Sequence, residues 1–232
     1  MQFFFGEYIF GKNTGIIPEF YPETDSMKLN TYSGHLVSLL KLPMSEFTEL
    51  QRALKEQSVH FDPENKLNQD VHAYAADAGI GYDPDLLKGK AGPGGGIELD
   101  PFRAAFFLLA VVLNGPRKHA AEATWMTWHL NQEDSVLSGW GEDFKPTFAE
   151  CPFTGHHLFG EALRAIIEGE DLAARVDEIR VASDLTAEIH YDGGKVSKFE
   201  KSYRDQFPFL YRVSVLNGFV LQAIAQLLKR GA

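Results

Sequence analysis

The segment that most limits how this chain can fold is residues 102–113, FRAAFFLLAVVL, which is apolar almost all the way round. Asp100 and Pro101 stand in front of it, an N-cap carboxylate and a residue preset for the first helical position, so a helix is expected there. A helix with no polar face has to be covered on every side. It is therefore read as the central helix of a core. Its uninterrupted apolar run, residues 104–113, is ten residues long before Asn114 and Gly115 stop it. A bilayer span requires roughly 18, so no membrane crossing is expected and the chain is read as soluble. At 232 residues it has room for one large domain or two small ones. With 44% hydrophobic and 23% charged residues it has the side chains to bury a core, which excludes wholesale disorder.

Other elements follow from pattern. Residues 2–10, QFFFGEYIF, are apolar on both alternating faces and read as a buried strand. Residues 36–42 are apolar but too short to assign by periodicity. Ser45 is a plausible N-cap for a helix over 46–55, where Phe47, Leu50 and Leu54 fall at helical spacing. Asn114-Gly115-Pro116 reads as a sharp turn into a second helix over 116–130, which carries Ala120, Ala121, Trp125 and Trp128. Residues 131–152 read as a long loop anchored by Trp140, Phe144 and Phe148. A third helix is expected over 156–168, opening at Thr154 or Gly155, with Leu158, Leu163, Ile166 and Ile167 inward.

After a short helical piece at 171–175, residues 178–182, 186–191 and 195–199 alternate in strand fashion. Asp192-Gly193-Gly194 makes a hairpin turn between the last two. A three-stranded antiparallel meander is the expected result. In the tail, residues 206–229, a long C-terminal helix is expected. Its Val213, Leu216, Val220, Ala223 and Leu227 are spaced three and four apart, flanked by Phe219, Ile224 and Leu228. The clearest compositional break is residues 88–96, KGKAGPGGG, with five glycines and a proline, which reads as a linker or loop. The expected fold is α+β: a small β-containing N-terminal module over 1–87, and a helix-rich C-terminal module over 97–232 with the meander and the long C-terminal helix.

Charge narrows the function classes. The formal net charge is −10. Residues 1–100 hold 8 Lys/Arg against 15 Asp/Glu, residues 101–200 hold 9 against 16, and residues 201–232 hold 5 against 1. An acidic body repels a polyanion, so nucleic-acid binding is disfavoured. Glu161, Glu168, Glu170 and Asp171 make the helix before the meander too acidic for a major groove. One cysteine, Cys151, cannot form an intramolecular disulfide, and the N-terminal residues lack the basic region of a signal peptide, so a cytoplasmic location is expected.

The densest reactive cluster is Cys151-Pro152-Phe153-Thr154-Gly155-His156-His157. A thiolate needs a neighbouring His or a helix N-terminus to lower its pKa, and both fall within this run if His156 and His157 open the third helix. His157 and Glu161, spaced i and i+4, would then share a helix face and suit a metal, with His119, His129 or His190 as further ligands. No CxxC or HExxH motif supports zinc, and the ordinary reading of the cluster is a buried thiol in a proline-stiffened turn. The acidic stretch 58–87 lacks the ligand order of a calcium loop, and the glycine run is followed by carboxylates where a phosphate would sit. No metal and no cofactor is expected.

The function expected from this pattern is non-enzymatic, through protein–protein contacts: an adaptor, an inhibitor or an assembly subunit. The contacts would be with another protein, or by self-association through the C-terminal helix. The candidate interface residues are Trp125 and Trp128 on the second helix, with Val213, Leu216, Val220 and Leu227 in the tail. The alternative is a hydrolase or transferase centred on Cys151, His156, His157 and Glu161. A third reading, an acidic regulator or DNA mimic, rests on net charge.

Overall fold

The computed structural model describes residues 27–56, 97, 99–113, 120–135, 148–200 and 212–230. The strand expected at 2–10, the acidic stretch 58–87, the glycine run 88–96, the turn at 114–116, and Trp140 and Phe144 lie outside the described residues.

The first described elements are two helices, α1 (Leu29–Leu40) and α2 (Met44–Glu56). The unassigned apolar stretch from Leu36 is the second half of α1. It ends where Lys41 turns into the left-handed region, at φ 55°. Helix α2 buries Phe47, Leu50 and Leu54 as expected, but it begins at Met44, so Ser45 lies inside the helix and does not cap it.

The central helix, α3 (Pro101–Leu113), begins as its sequence requires: the Arg103 backbone N–H donates to Asp100 Oδ1 at 2.7 Å. Residues 104–111 are all buried. On one side Phe107 meets Tyr32 of α1 and Phe47 of α2, with ring centroids 6.5 and 6.3 Å away. The Tyr32 hydroxyl donates to the Ala104 carbonyl, and burial holds its phenol well above the ordinary range. On another side Phe106 and Phe102 pack on Trp125 and Trp128 of α4 (Ala120–Trp128). Residues from before and after the stretch 57–96 share one hydrophobic cluster. Backbone bonds tie the residues after that stretch to the start of α1, Leu29 N–H to the Ile97 carbonyl and Leu99 N–H to the Met27 carbonyl.

The remaining sides of α3 are covered by α5 (Phe159–Glu168), which leads through α6 (Glu170–Arg175) into the sheet, and by the sheet itself. Among the described residues the sheet has five antiparallel strands in the order β1-β4-β3-β2-β5. They are β1 (Asn131–Gln132), β2 (Val176–Ala182), β3 (Thr186–Tyr191), β4 (Lys195–Glu200) and β5 (Val213–Asn217). The expected meander is β2-β3-β4, within two residues at each end. Positive φ at Asp192, Gly193 and Gly194 makes its hairpin turn. Ile179, Ile189, Ser197 and Leu216 form one buried cross-strand row. Alternate residues, among them Arg180, Glu188 and Lys198, lie on the other face.

The C-terminal reading needs a correction. Val213 and Leu216 are not helical: they belong to β5, which pairs with β2 through Ile179↔Leu216 and Arg180↔Val215. The helix, α7 (Gly218–Arg230), starts only after Asn217, whose side-chain Oδ1 accepts from the Phe219 N–H at 2.9 Å. It is nevertheless the long C-terminal helix the sequence called for. It packs within the chain against α5, α6 and β2, burying Leu221, Ile224 and Ala225. Among the described residues no helix is long and apolar enough to cross a membrane.

Candidate functional site

The reactive cluster has a definite shape, and it differs from the expected one. The third helix begins at Phe159, so His156 and His157 precede it. The cause is a tertiary contact. Leu158 is extended, at φ −98° and ψ 139°, because it bridges to Asn131. Gln132 N–H donates to the His157 carbonyl at 2.8 Å, and Phe159 N–H to the Leu130 carbonyl at 2.9 Å. Leu158 is therefore held beside β1 as an isolated bridge, immediately before α5 begins. Without helical geometry, the i and i+4 spacing of His157 and Glu161 no longer puts them on one helix face.

Cys151 is buried, 1% exposed, in a loop closed by its own backbone: Cys151 N–H donates to the His156 carbonyl and Gly155 N–H to the Cys151 carbonyl, both at 2.8 Å. Gly155 takes φ 76°, which closes the turn at no steric cost. Phe153 anchors the loop to the sheet by stacking on Tyr191 at 4.3 Å, with the Arg175 guanidinium 5.0 Å over its ring. Among the described residues, no ring nitrogen is hydrogen-bonded to the Cys151 sulfur, which is buried. In the folded protein its alkylation by a small thiol reagent is expected to be slower by more than about a hundredfold than in the unfolded chain. Stopped-flow or mass-spectrometric labelling with and without denaturant measures this; comparable rates would restore Cys151 as a reactive centre.

His157 packs against the Phe148 ring at 5.1 Å, and burial lowers its pKa. Glu161 is mostly buried, and its Oε2 accepts from Arg164 at 3.2 Å. The His129 ring packs tilted against Trp125, with centroids 4.3 Å apart. Burial lowers its pKa, opposed by its bond to the Trp125 carbonyl. His190 pairs with Glu188 on the outward face of β3. His119 lies outside the described residues. Among the described residues, no three His, Cys, Asp or Glu side chains come together as a metal site requires. Among the described residues, the buried oxygens Gln132 Oε1, Glu161 Oε1 and Ser197 Oγ have no hydrogen-bond partner. Gln132 and Ser197 carry no mark in the sequence, because their burial depends on which strands flank them.

The candidate interface residues divide. Trp125, Trp128, Leu216 and Leu227 are buried within the chain, and Val220 is half-buried against the core. Val213 is 45% exposed. Two residues absent from the expected set stand with it, Val215 at 58% and Phe219 at 63%. Val215 and Phe219 flank the Asn217 cap, so the three line the outermost strand and the first turn of α7. The signal was present in VSVLNGF, an alternating run ending in Asn-Gly, but its three-and-four spacing concealed it.

One polar feature supports the sheet beside these groups. Arg175 binds Asp192 through Nε at 2.9 Å and a terminal nitrogen at 2.7 Å, and Lys195 adds a third contact at 3.2 Å. The Arg175 hydrogen bond is the largest cause of the fall in the Asp192 carboxyl pKa, well below the usual range. A depressed carboxyl pKa contributes stability that is present above the unfolded value and is lost as pH falls through the folded one. Asp192→Asn is therefore expected to lower stability at pH 7 and to flatten the decline below about pH 4. Urea unfolding at a series of pH values tests this; parallel pH profiles for the two proteins would exclude it.

No protein-family model, curated protein or solved structure matches the chain.

Proposed function

We propose that the chain acts through protein–protein contacts, and that the contact surface is the open edge formed by β5 and the first turn of α7. The observation that carries this reading is the exposure of Val213, Val215 and Phe219, next to the strand that stands last in the sheet among the described residues. An edge strand offers unpaired backbone groups, and folded proteins blunt such edges with charge, proline or a bulge. Within Val213–Asn217 there is no charged residue and no proline. Edges of this kind accept an added strand, with backbone hydrogen bonds giving affinity and alternate side chains giving specificity. An adaptor, an inhibitor or an assembly subunit would each use it in this way. A single cysteine, held as a buried thiol, suits a reducing cytoplasm as the place of contact.

The test is photo-crosslinking from position 215 in the native cell. The expected result is a discrete protein adduct from position 215 and none from the equally exposed Lys198 on the sheet's outward face. Equal, diffuse labelling from both sites would remove the β5 edge as the contact surface.

A further inference from the structure

Two residues at the passage from β5 into α7 are each fixed by what they do there. Asn217 ends β5, where it pairs with Glu178, and its side-chain Oδ1 accepts from the Phe219 N–H at 2.9 Å, so it caps α7. Gly218 has to be glycine, since a β-carbon would lie 1.8 Å from the Val176 carbonyl oxygen. Together they make an Asn-Gly pair. In such a pair the backbone nitrogen reaches the preceding side-chain amide with least hindrance, because glycine puts no β-carbon in the way. The sequence holds two of these pairs, at 114–115 and 217–218, and the second lies among the described residues. We infer that Asn217 is a site of spontaneous deamidation, that the folded junction of β5 and α7 holds the reaction back, and that one of its two products cannot restore that junction.

The reaction needs only water. The Gly218 backbone nitrogen attacks Asn217 Cγ, and the new C–N bond closes a succinimide ring. The bond from Cγ to the side-chain nitrogen breaks with its electron pair on that nitrogen, which takes up the proton lost from the attacking amide and leaves as ammonia. Water then opens the ring. Addition at Cγ gives aspartate; addition at the backbone carbonyl gives isoaspartate, in which the main chain runs through the former side chain. In the folded protein the ring cannot close while Oδ1 is held by the Phe219 N–H and Asn217 is paired to β2, so closure waits for the start of α7 to open. The products then part. Aspartate keeps an oxygen for the Phe219 N–H and adds a negative charge at the first turn of α7, where a carboxylate is favourable. Isoaspartate lengthens the backbone by a methylene where Gly218 crosses the Val176 and Asp177 carbonyls, and its carboxylate is one carbon too short for the cap. Helix α7 then cannot return to the position that buries Leu221 and Ile224.

The test ages the full chain at mildly alkaline pH, with and without urea, and maps its peptides by mass and by isoaspartyl methyltransferase labelling. Aspartate and isoaspartate are expected at position 217 in both samples, forming at least about tenfold more slowly in the native one. Phe219→Pro removes the N–H that holds Oδ1. Phe219 is 63% exposed and proline is tolerated in a first helical turn, so the variant is expected to fold and to deamidate at least about threefold faster than the native wild type. Among aged native chains separated by charge, those with aspartate should melt at or above the unmodified protein and those with isoaspartate below it. Equal rates with and without urea overturn the restraint by the fold, and no product at 217 in urea overturns the site. A folded Phe219→Pro chain reacting at the wild-type rate overturns the role of the cap; if that variant does not fold, the urea comparison decides alone. An isoaspartyl fraction that melts with the unmodified protein overturns the difference between the products.

Discussion

Gly160→Ala is expected to destabilise the protein by about 3 kcal/mol or more, because there is no room for a methyl group at this position. A β-carbon there would lie 1.9 Å from Trp128 Cδ2, and 2.3 Å from Cγ and Cε2. Contacts that short must be relieved by moving the indole or the start of α5. The indole is fully buried, with Phe102 edge-on at 4.7 Å and Phe106 at 6.1 Å, so it has nowhere to go. Helix α5 is held from the other direction by the Phe159 N–H bond to the Leu130 carbonyl. At roughly 2–4 °C per kcal/mol for a domain of this size, the melting temperature should fall on the order of 10 °C. Trp128→Leu removes the obstructing ring and is itself costly, yet adding Gly160→Ala to it should cost much less than in the wild type. Full additivity in that double-mutant cycle would show that the ring is not what the methyl meets.

Gly218→Ala is expected to be at least as damaging, for a reason no side chain can relieve. Its β-carbon would lie 1.8 Å from the Val176 carbonyl oxygen and 3.1 Å from that of Asp177. The obstruction is backbone, at the point where α7 leaves β5 and crosses the beginning of β2. Accommodating it means separating α7 from the sheet and giving up the burial of Leu221 and Ile224. Gly34, in the middle of α1, provides the comparison, since a β-carbon there meets nothing within 4 Å. Gly34→Ala should stabilise by about 0.5–1 kcal/mol through helix propensity alone. Denaturant midpoints for the two variants should thus move in opposite directions. A Gly218→Ala midpoint equal to that of the wild type would contradict the close crossing.

Those two glycines also mark where the sequence could be read and where it could not. The meander was legible because its information is local: alternation over six or seven residues, and Asp192-Gly193-Gly194 at the turn. Helix α3 was legible for the same reason, from Asp100, Pro101 and the unbroken apolar run. The passage from β5 to α7 was not, because Val213, Leu216 and Val220 fit a helical stripe as well as they fit a strand followed by a helix. Only pairing with β2, more than thirty residues earlier, decides between the two. The start of α5 was misplaced for a similar reason, since Leu158 is held extended by Asn131. The candidate site suffered most. Cys151, His156, His157 and Glu161 are close in sequence, and proximity in sequence was the only basis for grouping them. The exposed edge at Val215 and Phe219 emerged only once the neighbouring strands and helices had used up the other apolar residues of the tail.

The strand order has a consequence for the protein's birth on the ribosome. Strands β2, β3 and β4 can pair as soon as they emerge, being neighbours along the chain. The flank of β2 and the apolar faces of α5 and α6 must wait for β5 and α7, residues 213–230. Until those have been made, a nascent chain presents Ile179, Val181 and Ile166 without their final cover, and a β2 strand paired on one side only. Chains halted before residue 213 should therefore be the species that chaperones hold and proteases remove.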